Sequence, residues 1–245
     1  MLALVTTAGT TACLGAAWFG AATIARASQV RSLRRRCRDE GVLSLTYDDG
    51  PGRELSCRLL ELLQTCNARA TFFYLGRALA RNGDVARAAL AAGHEIGSHS
   101  FLHLNAWRAL PPKDVMDLRR GVDAAAQYAT APAIFRPPYG KMTLAGYAWS
   151  RAVRVRPVWW TVDSGDTWRL LPKPEAVLGQ VERAGGGVVL MHDFDRSGGG
   201  EADRRHYVLE LTRQLLELAG RRGWKVRPVG ELLDRKGDPG RSKAR

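Results

Sequence analysis

The sequence predicts an α/β fold in which about seven parallel strands close, or nearly close, into a barrel. Three observations carry that expectation. Strand-like and helix-like segments alternate along the chain, 245 residues at 45% hydrophobic composition form one block large enough for a single core, and polar clusters recur just after the strand-like segments. An open doubly wound sheet is usually smaller and binds at one switch point, whereas a barrel draws catalytic groups from the ends of several strands.

Residues 42–48 (Val-Leu-Ser-Leu-Thr-Tyr-Asp) alternate with period two and predict the first strand. Leu55, Leu59, Leu62, Leu63 and Cys66 then follow helical spacing up to Asn67, completing one strand-helix unit. Further strands are expected at 70–75, 94–98, 132–136, 155–162, 186–191 and 224–228, with helices near 77–92, 112–128, 143–152, 173–184 and 203–221. No internal repeat occurs, and no glycine-rich dinucleotide fingerprint follows the first strand.

The ends differ from the middle. The composition divides the chain into an apolar leader over 1–27, a basic linker over 28–40, the domain over 41–235 and a basic tail over 236–245. Leu2 to Ala25 carries no charge and is long enough to span a bilayer, but Thr and Gly dilute it. Ala25-Arg26-Ala27 resembles a small-x-small cleavage site, although no basic segment precedes Leu2. An uncleaved anchor would hold the domain in the cytoplasm, and cleavage would allow export. The expectation is a membrane-attached or exported domain, with membrane contact through the N-terminal segment.

Lys and Arg outnumber Asp and Glu by 37 to 24, for a formal charge of +13, which suits anionic surroundings. With no zinc-finger, RNA-binding or helix-turn-helix signature, no nucleic acid is expected as a partner, and the basic residues read as solvated faces. Cys57 and Cys66 fall on one helix, too far apart for a disulfide. Buried free thiols are expected, with Cys37 and Cys57 the pairing left open.

The polar clusters carry the chemistry. Asp48-Asp49-Gly50-Pro51 alone is turn chemistry, but adjacent carboxylates leaving a strand point in different directions, so one can ligate a metal while the other faces the water it activates. His99 and His103 lie four residues apart, one helical turn, which lets both imidazoles reach one ion. His94-Glu95 begins like a zinc-protease motif, but Ser98 occupies the position of the second histidine, leaving His94 to the core. Arg136, fixed by Pro137 and Pro138 ahead of Tyr139, is a preorganised partner for a carboxylate. Asp163, Asp166 and Trp168 follow the fifth strand, where an exposed Trp168 could stack on a sugar face. His192 follows a buried strand and suits a general acid. The loop from Ser197 to Glu201 reads as a lid or a linker.

On these motifs the chain resembles the polysaccharide deacetylases of carbohydrate esterase family four, whose five motifs occur in the same order over residues 42–193. The resemblance implies a distorted (β/α) barrel with about seven strands and metal-dependent removal of acetyl groups from amino sugars or acetylated polysaccharides. It implies Asp48 as catalytic base, Asp49, His99 and His103 as metal ligands, and Arg136 as the residue that orients the base. His192 becomes the catalytic acid and the Tyr139 backbone N–H the oxyanion donor. Tyr47 and Ser100 replace the usual Phe and Thr. Thr167 is inserted before Trp168 in a motif that normally reads Asp-x-x-Asp-Trp, which leaves both Asp163 and Asp166 as candidates to tune His192. Two histidines and a carboxylate suit Zn2+, with Co2+, Ni2+ or Fe2+ also compatible. The expected substrate is an N-acetylated glycan or glycolipid, because a positioned acid equips the site to protonate a departing amine. The alternatives are an O-acetyl polysaccharide esterase and a non-catalytic carbohydrate-binding module of the same fold.

Overall fold

The computed structural model describes residues 2–129, 133–195 and 201–233, with the side chains of residues 2–19 and of Glu201 outside the description. The basic tail 236–245 and residues 196–200 of the glycine loop also lie outside the described residues. Eight strand segments occur among the described residues: β1 (Val42–Asp48), β2 (Thr71–Tyr74), β3 (Glu95–Ser98), β4 (Ile134–Phe135), β5 (Arg156–Pro157), β6 (Val162–Asp163), β7 (Gly187–His192) and β8 (Lys225–Val226). The helices are α1 (Leu2–Glu40), α2 (Leu55–Thr65), α3 (Gly76–Ala91), α4 (Pro111–Ala125), α5 (Leu144–Ala152), α6 (Pro174–Ala184), α7 (Glu201–Arg222) and α8 (Val229–Leu233).

The strands pair in parallel in the order β5-β4-β3-β2-β1-β7-β6, with β8 beside the start of β1. The expected strand over 155–162 is broken in two. Its halves sit at opposite ends of the ladder order, so residues 158–161 cross the gap and close the curl by chain rather than by a ladder. Val158 N donates to Phe135 O (2.8 Å) on one side, and Thr161 N to Val188 O (2.9 Å) on the other. Pro157 carries no N–H to continue a ladder there.

The period-two alternation of β1 sorts its side chains between two buried faces. Leu43, Leu45 and Tyr47 join Leu59 and Leu63 of α2 and Leu211 and Leu215 of α7. Val42 packs on the opposite face with Phe73, Val188, Val229 and Leu232. Ser44, Thr46 and Asp48, two, four and six residues on, belong to that same face, so the polar set of the strand ends at the mouth.

The segment 28–40 is not a linker. It continues α1, and Leu33 (2% exposed) and Cys37 (0%) lie in the core with Val42 and Val188. Ala22 is buried with Phe135, Met142 and Trp159. Spacings of three, four and seven residues among Val30, Leu33 and Cys37 put an apolar stripe inside an arginine-rich sequence. The arginines occupy the remaining positions, which is why composition alone reads as solvated. Among the described residues, no helix is long and apolar enough to cross a membrane. Cys37, Cys57 and Cys66 are free, and Cys66 is exposed rather than buried.

Candidate active site

The register of the central ladder delivers the chemistry to one end. Asp48 is the ladder partner of His192, and Tyr74, Ser98 and Phe135 end the next three strands at the same level. His99 and Arg136 each follow one of those ends by a single residue. An open cavity of about 410 Å³ at this mouth is lined by Asp48, Asp49, His99, His103, Tyr139 and His192, with Asp163 and Trp160 beside them.

Asp49, His99 and His103 form the one group among the described residues whose ligand atoms converge as a metal would require. The Nε2 atoms of His99 and His103 lie 3.5 and 3.4 Å from Asp49 Oδ1, which is buried without a hydrogen-bond partner. A buried carboxylate oxygen left unpaired between two imidazole nitrogens fits a cation site. His99 Nδ1 lies 2.8 Å from Arg136 O, which fixes the Nδ1–H tautomer and turns the Nε2 lone pair toward Asp49. Burial pushes the His99 imidazole down to about 3, so the neutral, ligating form prevails.

The two histidines do not share a helical turn. Residues 99–104 form an irregular loop in which Ser100 (φ 69°) and His103 (φ 65°) take left-handed backbone. The loop is folded back by α4: Asp117 accepts from Leu102 N (2.8 Å), and its own carbonyl accepts from Phe101 N (3.1 Å). Gly121 makes the approach feasible, since a Cβ there would lie 2.2 Å from the Ser100 carbonyl carbon.

Asp48 Oδ2 lies 3.7 Å from His99 Nε2, and its other oxygen is held by a different partner. Arg136, fully buried, donates from Nη1 to Asp48 Oδ1 (2.8 Å) and to Thr46 Oγ1 (2.8 Å), and its guanidinium stands 4.3 Å from the Phe73 ring. Burial raises the Asp48 carboxyl from its ordinary range, and the adjacent guanidinium pulls it back toward ionisation. The balance suits a base that must be charged yet willing to accept a proton.

His192 pairs with Asp166, not with Asp163. Asp166 Oδ1 lies 2.9 Å from His192 Nδ1, and Oδ2 accepts from His192 N (2.8 Å). Burial alone would depress the imidazole, but the Asp166 carboxylate overrides it and the pKa rises to about 9. Asp163 accepts from Gly165 N (2.9 Å) and shapes the turn. The inserted Thr167 is accommodated because Arg204 of α7 donates to Asp166 O (2.6 Å) and Trp168 O (2.8 Å), holding the loop on both sides of it. Trp168 is 54% exposed and Tyr139 53% exposed, both on the rim.

Sequence reasoning gave no role to Asp193 or Asp195. Asp193 Oδ1 accepts from Gly50 N (3.1 Å), and Oδ2 lies 2.6 Å from Ser56 Oγ. Ser56 Oγ also accepts from Gly52 N (2.8 Å) and donates to Asp193 O (2.9 Å). That hydroxyl has one hydrogen, so every bond is satisfied only when the Asp193 carboxyl carries a proton and donates to Ser56. Burial agrees, pushing Asp193 up to about 8. Asp195 accepts from the N–H groups of Glu54 (2.9 Å) and Leu55 (3.0 Å), holding the entrance of α2 against the loop after β7. The signal for Asp193 was its place beside His192, which is legible only once β1 and β7 are known to be neighbours.

The family model for polysaccharide deacetylase matches residues 35–167. A peptidoglycan-N-acetylglucosamine deacetylase of Bacillus cereus is 30% identical over 197 residues, covering 80% of this chain and 89% of that protein. A chitooligosaccharide deacetylase of a Bradyrhizobium species is 29% identical over 197 residues, covering 77% of this chain and 89% of that one. Among solved structures, a CE4 family pseudoenzyme from Bacillus anthracis is similar with a TM-score of 0.67 at 26% identity, covering 80% of this chain and 66% of that one.

Proposed function

The chain belongs to the polysaccharide deacetylase family, and from that premise we propose that it is a metal-dependent hydrolase releasing acetate from N-acetylated amino sugars of a glycan or glycolipid. The observation that carries this reading is the pairing of a cation-ready set, Asp49, His99 and His103, with a separately held base and acid on adjacent strands.

Asp49, His99 and His103 would hold a divalent cation, Zn2+ first and Co2+, Ni2+ or Fe2+ as alternatives. Such a cation supplies a Lewis acid for the acetyl carbonyl and lowers the pKa of water. Asp48 takes the proton of the attacking water, with its carboxylate held by Arg136, whose Nη1 is itself held by Thr46 Oγ1. The Tyr139 backbone N–H meets the oxyanion as the tetrahedral centre forms. His192, protonated and held by Asp166, gives its proton to the departing nitrogen. An amine anion cannot leave unaided, so this acid matters more for an amide than for an ester. Trp168 offers an exposed ring on the rim for a sugar face. The relatives' wall-polymer substrates support a membrane-attached or exported enzyme, with Leu2 to Ala25 the segment that would make the contact.

The test is acetate release from N-acetylated chitooligosaccharides, peptidoglycan fragments, acetylxylan and lipid-linked amino sugars, read by mass spectrometry with and without a chelator. Loss of one acetyl mass with a new primary amine, abolished by chelation and restored by Zn2+, is the expected result. Cleavage of acetylxylan alone would make the enzyme an O-acetyl esterase, and no release from any glycan would favour a binding module.

A further inference from the structure

Helix α1 reaches the catalytic mouth with side chains that precede the span matched by the family model, which begins at residue 35. Arg26 Nη1 donates to Gly140 O (3.2 Å), and the guanidinium lies 5.1 Å from the centroid of the Trp160 ring. Trp159 Nε1 donates to the same Gly140 oxygen (3.1 Å). Three residues after Arg26, Gln29 Nε2 donates to Pro157 O (2.7 Å), and its Oε1 accepts from Trp159 N (2.9 Å). One side-chain amide thus makes both bonds that a neighbouring strand would offer, and it does so on the segment that closes the curl.

The turn they hold is the one facing the cavity. Tyr139 and Gly140 line it with Asp48, Asp49 and His192, and both have positive φ (57° and 63°). Pro137 and Pro138 stiffen the turn on its N-terminal side. On the other side stands Gly140, the residue with most backbone freedom, and its carbonyl is fixed by Arg26 and Trp159. Burial lowers the Arg26 pKa, so this cation sits where its solvation is reduced, which packing alone would not require.

We propose that Arg26, seconded by Gln29, is a positioning residue that locks the Tyr139–Gly140 turn and so aims the oxyanion-facing N–H. This rests on the oxyanion role given to Tyr139 above. Arg26 and Gln29 both lie on the part of α1 that precedes the matched span.

The experiment compares full-length wild type with Arg26→Ala, Arg26→Lys and Trp159→Phe. Steady-state kinetics on the N-acetylated glycan that wild type turns over are combined with bound-metal content, melting temperature and hydrogen exchange of residues 138–142. Arg26→Ala is expected to lower kcat about tenfold with KM within about twofold, at unchanged metal content. Arg26→Lys keeps a charged donor and should recover most of that loss. Trp159→Phe removes the other donor and should lower kcat similarly. Exchange at 138–142 should rise in Arg26→Ala at unchanged melting temperature. Wild-type kcat and unchanged exchange in Arg26→Ala and Trp159→Phe would overturn the proposal, as would a kcat loss that only tracks lost metal or lost folded protein. If wild type releases no acetate while exchange at 138–142 still rises in Arg26→Ala, the proposed activity fails and the lock on the turn stands.

Discussion

At the scale of single residues, the proposed division between ligation and proton transfer rests on the different partners of Asp48 and Asp49, although the two are adjacent in sequence. Asp48 is tied to Arg136, and Asp49 faces the two imidazoles. Replacing Asp49, His99 or His103 with Ala should therefore lower bound metal and turnover together. Asp48→Asn should keep the metal and lose turnover by about 10²–10⁴-fold. Metal analysis beside kinetics checks this, and equal metal loss in Asp48→Asn would contradict the division. The His192 pKa, raised to about 9 by Asp166, sets a second expectation. The donating form is present below that value, so the rate should fall as pH rises through about 9. Asp166→Asn removes the carboxylate that raises the value, and the alkaline limb should move toward neutral pH. A limb that stays in place would detach it from this pair. The motif residues were legible because their side-chain types have few uses in combination. The choice between Asp163 and Asp166 was not, since it depends on how Arg204 holds the turn around Thr167.

At the scale of elements, sequence periodicity located strands and helices well but could not see what lies across a gap. Residues 155–162 are mostly apolar, yet their ends pair with different edges, and Pro157 marks locally where one ladder stops without showing which edge the chain joins next. His99 and His103 have helical spacing, but their convergence comes from a loop gripped by Asp117 of α4. Asp193 shows the same dependence, since it joins the end of β7 to the turn after β1. If its carboxyl is neutral, Asp193→Asn preserves both bonds, with the amide donating to Ser56, and activity should stay within about threefold of wild type. Asp193→Ala leaves Gly50 N unpaired in the interior and removes one of the three bonds of Ser56 Oγ, and it should cost about 1–3 kcal/mol of stability. Denaturant unfolding and kinetics on both variants decide it, with an inactive Asn variant pointing to a required charge.

For the whole molecule, α1 changes the boundary of the domain. Leu33 and Cys37 cover the sheet face formed by Val42 and Val188, and a chain starting at residue 41 would expose it. Such a truncation should lose soluble, cooperatively folded protein, whereas one starting at residue 20 retains every described contact of α1. Leu33→Ala should destabilise by about 2–5 kcal/mol, measurable by denaturant unfolding. A fully stable chain from residue 41 would restore 28–40 to the status of a linker. Counting arginines hid this helix, because a buried stripe of so few apolar side chains hardly alters the mean composition.

The ladder pairing of Asp48 with His192 has a further consequence for how such an enzyme can diversify. Neighbouring strands lie about 4.8 Å apart wherever a sheet forms, so the backbone spacing between the proposed base and acid is inherited from the hydrogen bonding of the sheet. The loops that carry Tyr139 and Trp168 lie beyond the strand ends, and each needs to keep only one residue that holds the pair, Arg136 for Asp48 and Asp166 for His192. Grafting the rims of those loops from one relative to another, with Arg136 and Asp166 kept, is expected to exchange glycan preference while leaving the proton-transfer pair in tune, and laboratory evolution for a new glycan would do best to begin there.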